Sequence, residues 1–212
     1  MPALLYYITD RRQFRGDAKE QERRLLAKIG ECAAAGVDYI QLREKDLHAR
    51  ALEDLAYQAM AALRNSKTRL LINSRIDVAL AAGAHGIHLP AQDLLASEAR
   101  AIFSRAGVAK PIIGVSAHAE EEMAYAEAHG ADLAVFAPVF EKDGNENPSG
   151  LRQLRQICGR RHAASQMPVF ALGGVTLQNA KQCLEAGAAG IAGIRLLQEN
   201  EAQTIVDALR AT

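Results

Sequence analysis

Residues 34–46 read AAGVDYIQLREKD: a helix end, a glycine, a strand, and then four charges in a row. Val37, Tyr39, Ile40 and Leu42 are the β-branched, aromatic and aliphatic residues of a buried strand. The run empties into Arg43, Glu44, Lys45 and Asp46. An apolar strand ending in adjacent charges is what a parallel α/β sheet looks like where it opens onto a ligand. Arg43 and Lys45 alternate in strand order, so they point the same way and can grip one anion together. Read in isolation, the same residues are equally an ordinary strand end with solvated charges.

The first half of this stretch recurs. AAGVDYI (34–40), AAGAHGI (81–87), AHGADLA (128–134) and EAGAAGI (185–191) each run from a helix end through glycine into a strand. Gly36, Gly83 and Gly130 are spaced 47 residues apart. Two strand–helix units per period suit a barrel built from quarter-like repeats. The glycines themselves read as helix ends and tight turns rather than chemistry.

Outward from there the chain alternates strictly. Strands are expected at 4–9, 37–42, 69–73, 86–89, 111–115, 133–137, 168–172 and 190–194. Helices are expected at 17–35, 48–63, 76–82, 94–105, 120–129, 151–161, 177–186 and 202–210. Strict alternation implies parallel strands joined by right-handed crossovers. Eight units in 212 residues favour a single α/β domain over residues 1–212, a (β/α)8 TIM barrel. No GxGxxG follows the first strand, which weakens the open nucleotide-binding sheet.

Composition narrows the function classes. Apolar residues make up 49%, enough for a core, and 25 basic residues balance 25 acidic ones. That balance argues against a broad nucleic-acid or anionic-membrane surface and leaves room for a local basic pocket. No apolar run approaches the roughly 18 residues of a membrane span, and no stretch reads as a signal peptide. Cys32, Cys158 and Cys183 lack CxxC spacing and sit in apolar helical contexts, as buried free thiols do. A cytoplasmic protein is expected, with no nucleic-acid or membrane partner; homo-oligomerisation stays open.

In a barrel of this kind the loops after the strands build the site. They carry Thr9-Asp10, Arg43 to Asp46, Asn73-Ser74, Gln92-Asp93, Ser116-Ala117-His118, Phe140 to Gly150, Gly173-Gly174 and Ile194-Arg195. The last two follow strands seven and eight, the usual phosphate cradle of these barrels. Asp93 with Ser74 and Asn73 offers oxygen donors for a divalent cation, or Asp93 simply caps the next helix. His118 is a candidate base and His88 lies within strand four; for both, a structural histidine is the plainer reading.

At these residues the chain resembles the thiamine phosphate synthase and TenI family, over essentially its whole length. Gln41-Leu42-Arg43-Glu44-Lys45 is similar to the family's QxREK block, and Gly86-Ile87-His88-Leu89 with Asp93 to its GIHxxxxD segment. Gly114 to His118 resembles GVSAH, Gly130 to Phe140 the GAD…GPV stretch, and Leu172 to Val175 the GGI phosphate turn. The resemblance implies an enzyme that joins hydroxymethylpyrimidine diphosphate to a thiazole phosphate with loss of pyrophosphate. It implies that Gln41, Arg43, Glu44 and Lys45 bind the pyrimidine diphosphate, that Asn73 and Ser116 contact it or its leaving group, and that Asp93 with Ser74 holds Mg2+. Gly173, Gly174, Ile194 and Arg195 would face the thiazole phosphate. Lys45, Ser116 and His118 are the catalytic candidates.

Three departures accompany it. The family's Asn-Asp after strand three is Asn73-Ser74, the Thr-x-Thr-Lys loop after strand six is Phe140 to Asn145 with Lys142 in it, and Ile194-Arg195 replaces Ile-Ser. Asn73 to Asp77 and Val139 to Asp143 look more like the TenI-type thiazole tautomerases, whose histidine before Val-Phe is Pro138 here. The expected activity is therefore the synthase, with a tautomerase or a non-catalytic precursor-binding protein as the alternatives.

Overall fold

The computed structural model describes residues 2–91, 93–141, 148–161 and 167–211. Eight strands form a closed, wholly parallel barrel in sequence order: β1 (Leu4–Ile8), β2 (Tyr39–Leu42), β3 (Arg69–Asn73), β4 (Gly86–Leu89), β5 (Ile112–Ala117), β6 (Leu133–Phe136), β7 (Val169–Ala171) and β8 (Gly190–Gly193). β8 closes on β1 with Leu4 opposite Gly190 and Tyr7 opposite Gly193. Between and after them run α1 (Ala18–Ala35), α2 (Ala49–Ala62), α3 (Ile76–Ala82), α4 (Ala96–Arg105), α5 (Glu120–Ala128), α6 (Pro148–Arg161), α7 (Ala180–Glu185), α8 (Arg195–Gln198) and α9 (Ala202–Arg210). This is the (β/α)8 barrel expected from the alternation, with two short additions among the described residues: a 3-10 turn at Arg11–Gln13 after β1, and the four-residue α8 between β8 and the closing helix.

The repeated glycine stretch has a mechanical explanation. Gly36, Gly83, Gly130 and Gly187 all take positive φ at helix ends. The residue after each glycine donates its N–H five residues back: Val37 to Cys32, Ala84 to Ala79, Ala131 to Ala126, Ala188 to Cys183. These are Schellman closures, which satisfy otherwise orphaned helix carbonyls. One residue further on, Asp38, His85 and Asp132 use a side-chain atom to accept a backbone N–H from an adjacent strand, those of Leu5, Leu70 and Ile113 at 2.9, 3.0 and 2.7 Å. Asp38 also pairs with Arg210 and Asp132 with Arg100. The repeat thus staples the strand starts, the end of a barrel where stability resides rather than chemistry.

Strand alternation divides the core in two. Tyr6, Ile8, Leu71, Leu133, Val135, Phe170 and Ala192 fill the barrel interior. The opposite faces pack against the helices in one large cluster that includes Tyr7, Leu25, Ile40, Ile72, Ile87, Phe103, Phe136 and Ile205. Cys32, Cys158 and Cys183 are buried and outside any disulfide, as expected, and burial pushes the Cys32 and Cys183 thiols up to about 12. No helix among the described residues is long and apolar enough to cross a membrane.

Candidate functional site

The charged end of β2 is organised from β1. Thr9 Oγ1 donates to Glu44 Oε1 at 2.6 Å and accepts the Arg43 N–H at 2.9 Å. The Arg11 N–H donates to both Glu44 oxygens, and its guanidinium bridges Glu44 at 3.0 Å and Asp46 at 2.8 and 2.7 Å. The hydrogen bonds of Asp46, then those of Glu44, hold the Arg11 charge firmly, and Arg11 in turn keeps Asp46 below the usual carboxylate range. Burial pushes the Glu44 carboxyl up, and these donors oppose it. Glu44 is only 4% exposed, and its carboxylate is taken up by Thr9 and Arg11, so it shapes the loop after β2. Arg43 is half-buried and Lys45 exposed, and neither has an ion-pair partner among the described residues. One guanidinium engages both acids, and three cations against two acids leave this group with a single net positive charge.

Inside the mouth, polar side chains link strand to strand. Gln41 Nε2 donates to Asn73 Oδ1 at 3.0 Å, and Asn73 Nδ2 donates to Ser74 Oγ at 3.1 Å. Ser74 takes a positive φ of 60°, and its N–H donates to the His88 carbonyl. Across the barrel, His88 Nε2 lies 2.9 Å from Ser116 Oγ and Nδ1 lies 3.0 Å from the Tyr6 hydroxyl. Burial, helped by the Arg43 charge, lowers His88 to about 3, so the ring is neutral.

A pH dependence of stability follows. An unfolded histidine takes up a proton below about 6.5 while the folded one refuses it down to about 3. The unfolded state binds more protons in that window, so stability is complete above about pH 6.5 and falls as pH drops. The loss between pH 8 and pH 5 is expected to be about 2 kcal/mol from His88, with half-buried His85 acting in the same direction. Urea unfolding at both pH values measures it. An acid loss of equal size in His88→Gln would assign the effect elsewhere.

On the far side, Val139 and Phe140 are buried and zip onto the end of β7 through N–H bonds to the carbonyls of Leu172 and Gly173. Gly173 and Gly174 have φ of 96° and 60°. A Cβ on Gly174 would stand 1.9 Å from the Glu141 carbonyl oxygen, and one on Gly173 2.8 Å from Pro138 Cα. The glycine pair is thus already required by the chain after β6. The Gly173-Gly174 turn, Thr176, Ile194, Arg195 and Asn200 line a cavity of about 450 Å3. His118 lies apart from Ser116: its Nδ1 donates to the Ala137 carbonyl at 2.7 Å, and its N–H donates to Glu122. Lys142 lies outside the described residues.

For a divalent ion the donors are hard oxygens but few. The described residues contain no group of three His, Cys, Asp or Glu side chains that could hold a metal. Asp93 is exposed, and its Oδ1 accepts the Leu94 N–H. It does not cap α4, whose first turn is closed by Glu98 reaching back to the Leu95 N–H. One carboxylate and the Ser74 hydroxyl fit Mg2+ only as part of a shell completed by water and substrate oxygens.

The sequence pattern described as thiamine monophosphate synthase matches residues 5–197. The chain belongs to this family. The thiamine-phosphate synthase of Halalkalibacterium halodurans is 40% identical over 190 residues, 88% of this chain and 83% of that one. The thiamine-phosphate synthase of Methanoculleus marisnigri is 36% identical over 193 residues, 90% and 85% of the two chains. Among solved structures, the thiamine phosphate pyrophosphorylase from Pyrococcus furiosus superposes with a TM-score of 0.79 at 29% identity, covering 98% of this chain and 94% of that one. For a member of the thiamine monophosphate synthase family, the parts that the sequence leaves unmarked are Arg11 and Tyr6, and the role of Thr9, placed at a strand end, as the anchor of Glu44. All three lie in or just after β1, and nothing in LLYYITDRR says which face each residue takes. His88, read as structural, is buried between two polar partners, Tyr6 and Ser116.

Proposed function

We propose that this protein is a thiamine-phosphate synthase: it joins hydroxymethylpyrimidine diphosphate to a thiazole phosphate and releases pyrophosphate. The observation that carries the reading is the β2 end. There Glu44 and Asp46 are engaged by Arg11, while Arg43 and Lys45 have no ion-pair partner among the described residues. A departing pyrophosphate needs fixed positive charge whose partners do not have to reorganise. Gln41 and Asn73, hydrogen-bonded to each other at the inner wall, supply amide groups for the pyrimidine end. The cavity lined by Gly173-Gly174 and Arg195, after strands seven and eight, would take the thiazole phosphate.

In this reading the bond between the pyrimidine methylene carbon and the diphosphate oxygen breaks, and its electron pair leaves with pyrophosphate. Arg43 and Lys45 stabilise the charge that develops on the leaving group, and the lone pair of the thiazole ring nitrogen forms the new bond to the methylene carbon. Asp93, with Ser74, would hold Mg2+ against the diphosphate; bound there, the ion would neutralise phosphate charge. His118 and Lys142 enter no step of this scheme. The buried thiols, outside any disulfide, accord with a cytoplasmic setting.

Purified protein given both substrates and Mg2+ is expected to release pyrophosphate and form thiamine phosphate. Asp93→Asn should raise the Mg2+ concentration needed for half-maximal rate by about tenfold, the scale of losing an anionic ligand. No pyrophosphate under saturating conditions would sink the synthase reading. Isomerisation of the thiazole phosphate alone, without metal, would put a tautomerase in its place.

A further inference from the structure

Tyr6, His88 and Ser116 form a hydrogen-bonded line from the barrel interior toward the C-terminal end of β5, and the direction of its protons can be deduced. Tyr6 is fully buried, ringed by Tyr39 and Phe170 with centroids 5.7 and 5.5 Å away. Its hydroxyl has one hydrogen-bond partner among the described residues, His88 Nδ1 at 3.0 Å. If Tyr6 accepted from Nδ1–H, its own proton would be left without an acceptor in an apolar interior. The phenol therefore donates, and Nδ1 carries the lone pair. A neutral imidazole then has its proton on Nε2, where it can only donate to Ser116 Oγ at 2.9 Å. The serine oxygen, already accepting, has its own proton left to point elsewhere. Ser116 is half-buried near the C-terminal end of β5, the end that opens onto the site.

The surroundings enforce this arrangement. Gly114, two residues before Ser116 on the same face of β5, leaves the space that the ring occupies; a Cβ there would lie 2.8 Å from His88 Nδ1. The reverse polarity would turn the serine's lone pairs toward the mouth, where they would repel a phosphate oxygen.

We propose that Tyr6 and His88 are positioning residues which fix the Ser116 hydroxyl as a hydrogen-bond donor to an anionic oxygen of the bound diphosphate. The identity of that anion rests on the synthase reading above; the proton direction does not. Locking a donor before the substrate arrives removes a reorientation from the reaction, which is how preorganised groups favour a developing charge.

Nitrogen-15 NMR of the histidine-labelled protein reads the tautomer directly, and Nε2–H is expected for His88 from pH 5 to 8. Tyr6→Phe, which keeps the ring, should shift His88 toward the Nδ1–H form. It should also lower kcat about tenfold while leaving KM for the pyrimidine diphosphate within twofold. In a Ser116→Ala background the same substitution should change kcat less than twofold. Inorganic pyrophosphate, titrated calorimetrically, should bind several-fold more weakly to both single variants. An Nδ1–H His88 in the unaltered protein overturns the proposal, as does a full tenfold effect of Tyr6→Phe without Ser116. If no turnover is found at all, the synthase reading fails alone, and the tautomer and pyrophosphate titrations still decide this one.

Discussion

Arg43→Ala is expected to lower kcat/KM for the pyrimidine diphosphate by about 10²- to 10³-fold, the scale of removing one preorganised donor from a developing negative charge. The side chain is half-buried, its own acid neighbours are engaged by Arg11, and its N–H is pinned by Thr9. Nothing therefore has to be undone before it meets a phosphate. The same isolation means that the fold does not depend on its charge, so the unfolding midpoint should change by less than the equivalent of about 1 kcal/mol. Arg43→Lys should recover part of the rate, because a point charge replaces attraction but not the two-pronged geometry of a guanidinium. Initial rates of pyrophosphate release measure all three proteins. A loss below threefold in Arg43→Ala would move the diphosphate away from β2 and leave the synthase reading without its main support.

The barrel was legible because its signals are local and repeated. The glycine in each helix-to-strand turn is demanded by the backbone geometry of the turn itself, with no help from distant residues. Arg43 and Lys45 were legible for a similar reason: charges that close an apolar strand of a parallel barrel stand at its mouth, whatever the neighbouring strands carry. What could not be read were side-chain pairings between strands, neighbouring ones included. Glu44 looks like a ligand group beside two cations, and only the neighbouring strand reveals that Thr9 and Arg11 claim it. Gly173-Gly174 looks like an invitation to a phosphate, yet the close approach is to Pro138 and Glu141, whose position depends on how the chain leaves β6. His88 looks structural because its partners, Tyr6 and Ser116, are 82 and 28 residues away. Sequence shows which residue types gather at the mouth; which of them are already spoken for is a property of closure.

That distinction can be tested at Glu44, where the expected effect is on stability first. Breaking a buried ion pair by deleting one partner typically costs 3–5 kcal/mol, because the remaining charge stays desolvated. In Glu44→Ala the guanidinium of Arg11, whose side chain is 9% exposed, keeps only Asp46, itself 40% exposed. With that residual partner, about 3 kcal/mol is expected. Thr9 loses its acceptor as well, and with it the anchor for the Arg43 N–H, so activity should fall even at temperatures where the variant is fully folded. Removing both charges separates the two effects. A Glu44→Met, Arg11→Met double variant leaves no orphaned charge and should regain most of the lost stability, since apolar replacement of a buried pair is often neutral or better. It should not regain the rate, because the loop carrying Arg43 and Lys45 is still untied. Urea denaturation and pyrophosphate release on the same preparations give both readouts. If Glu44→Ala is as stable as the parent and loses only substrate affinity, Glu44 touches the substrate after all; if the double variant regains both properties, the Arg11 network is structural ballast and does not aim the cations.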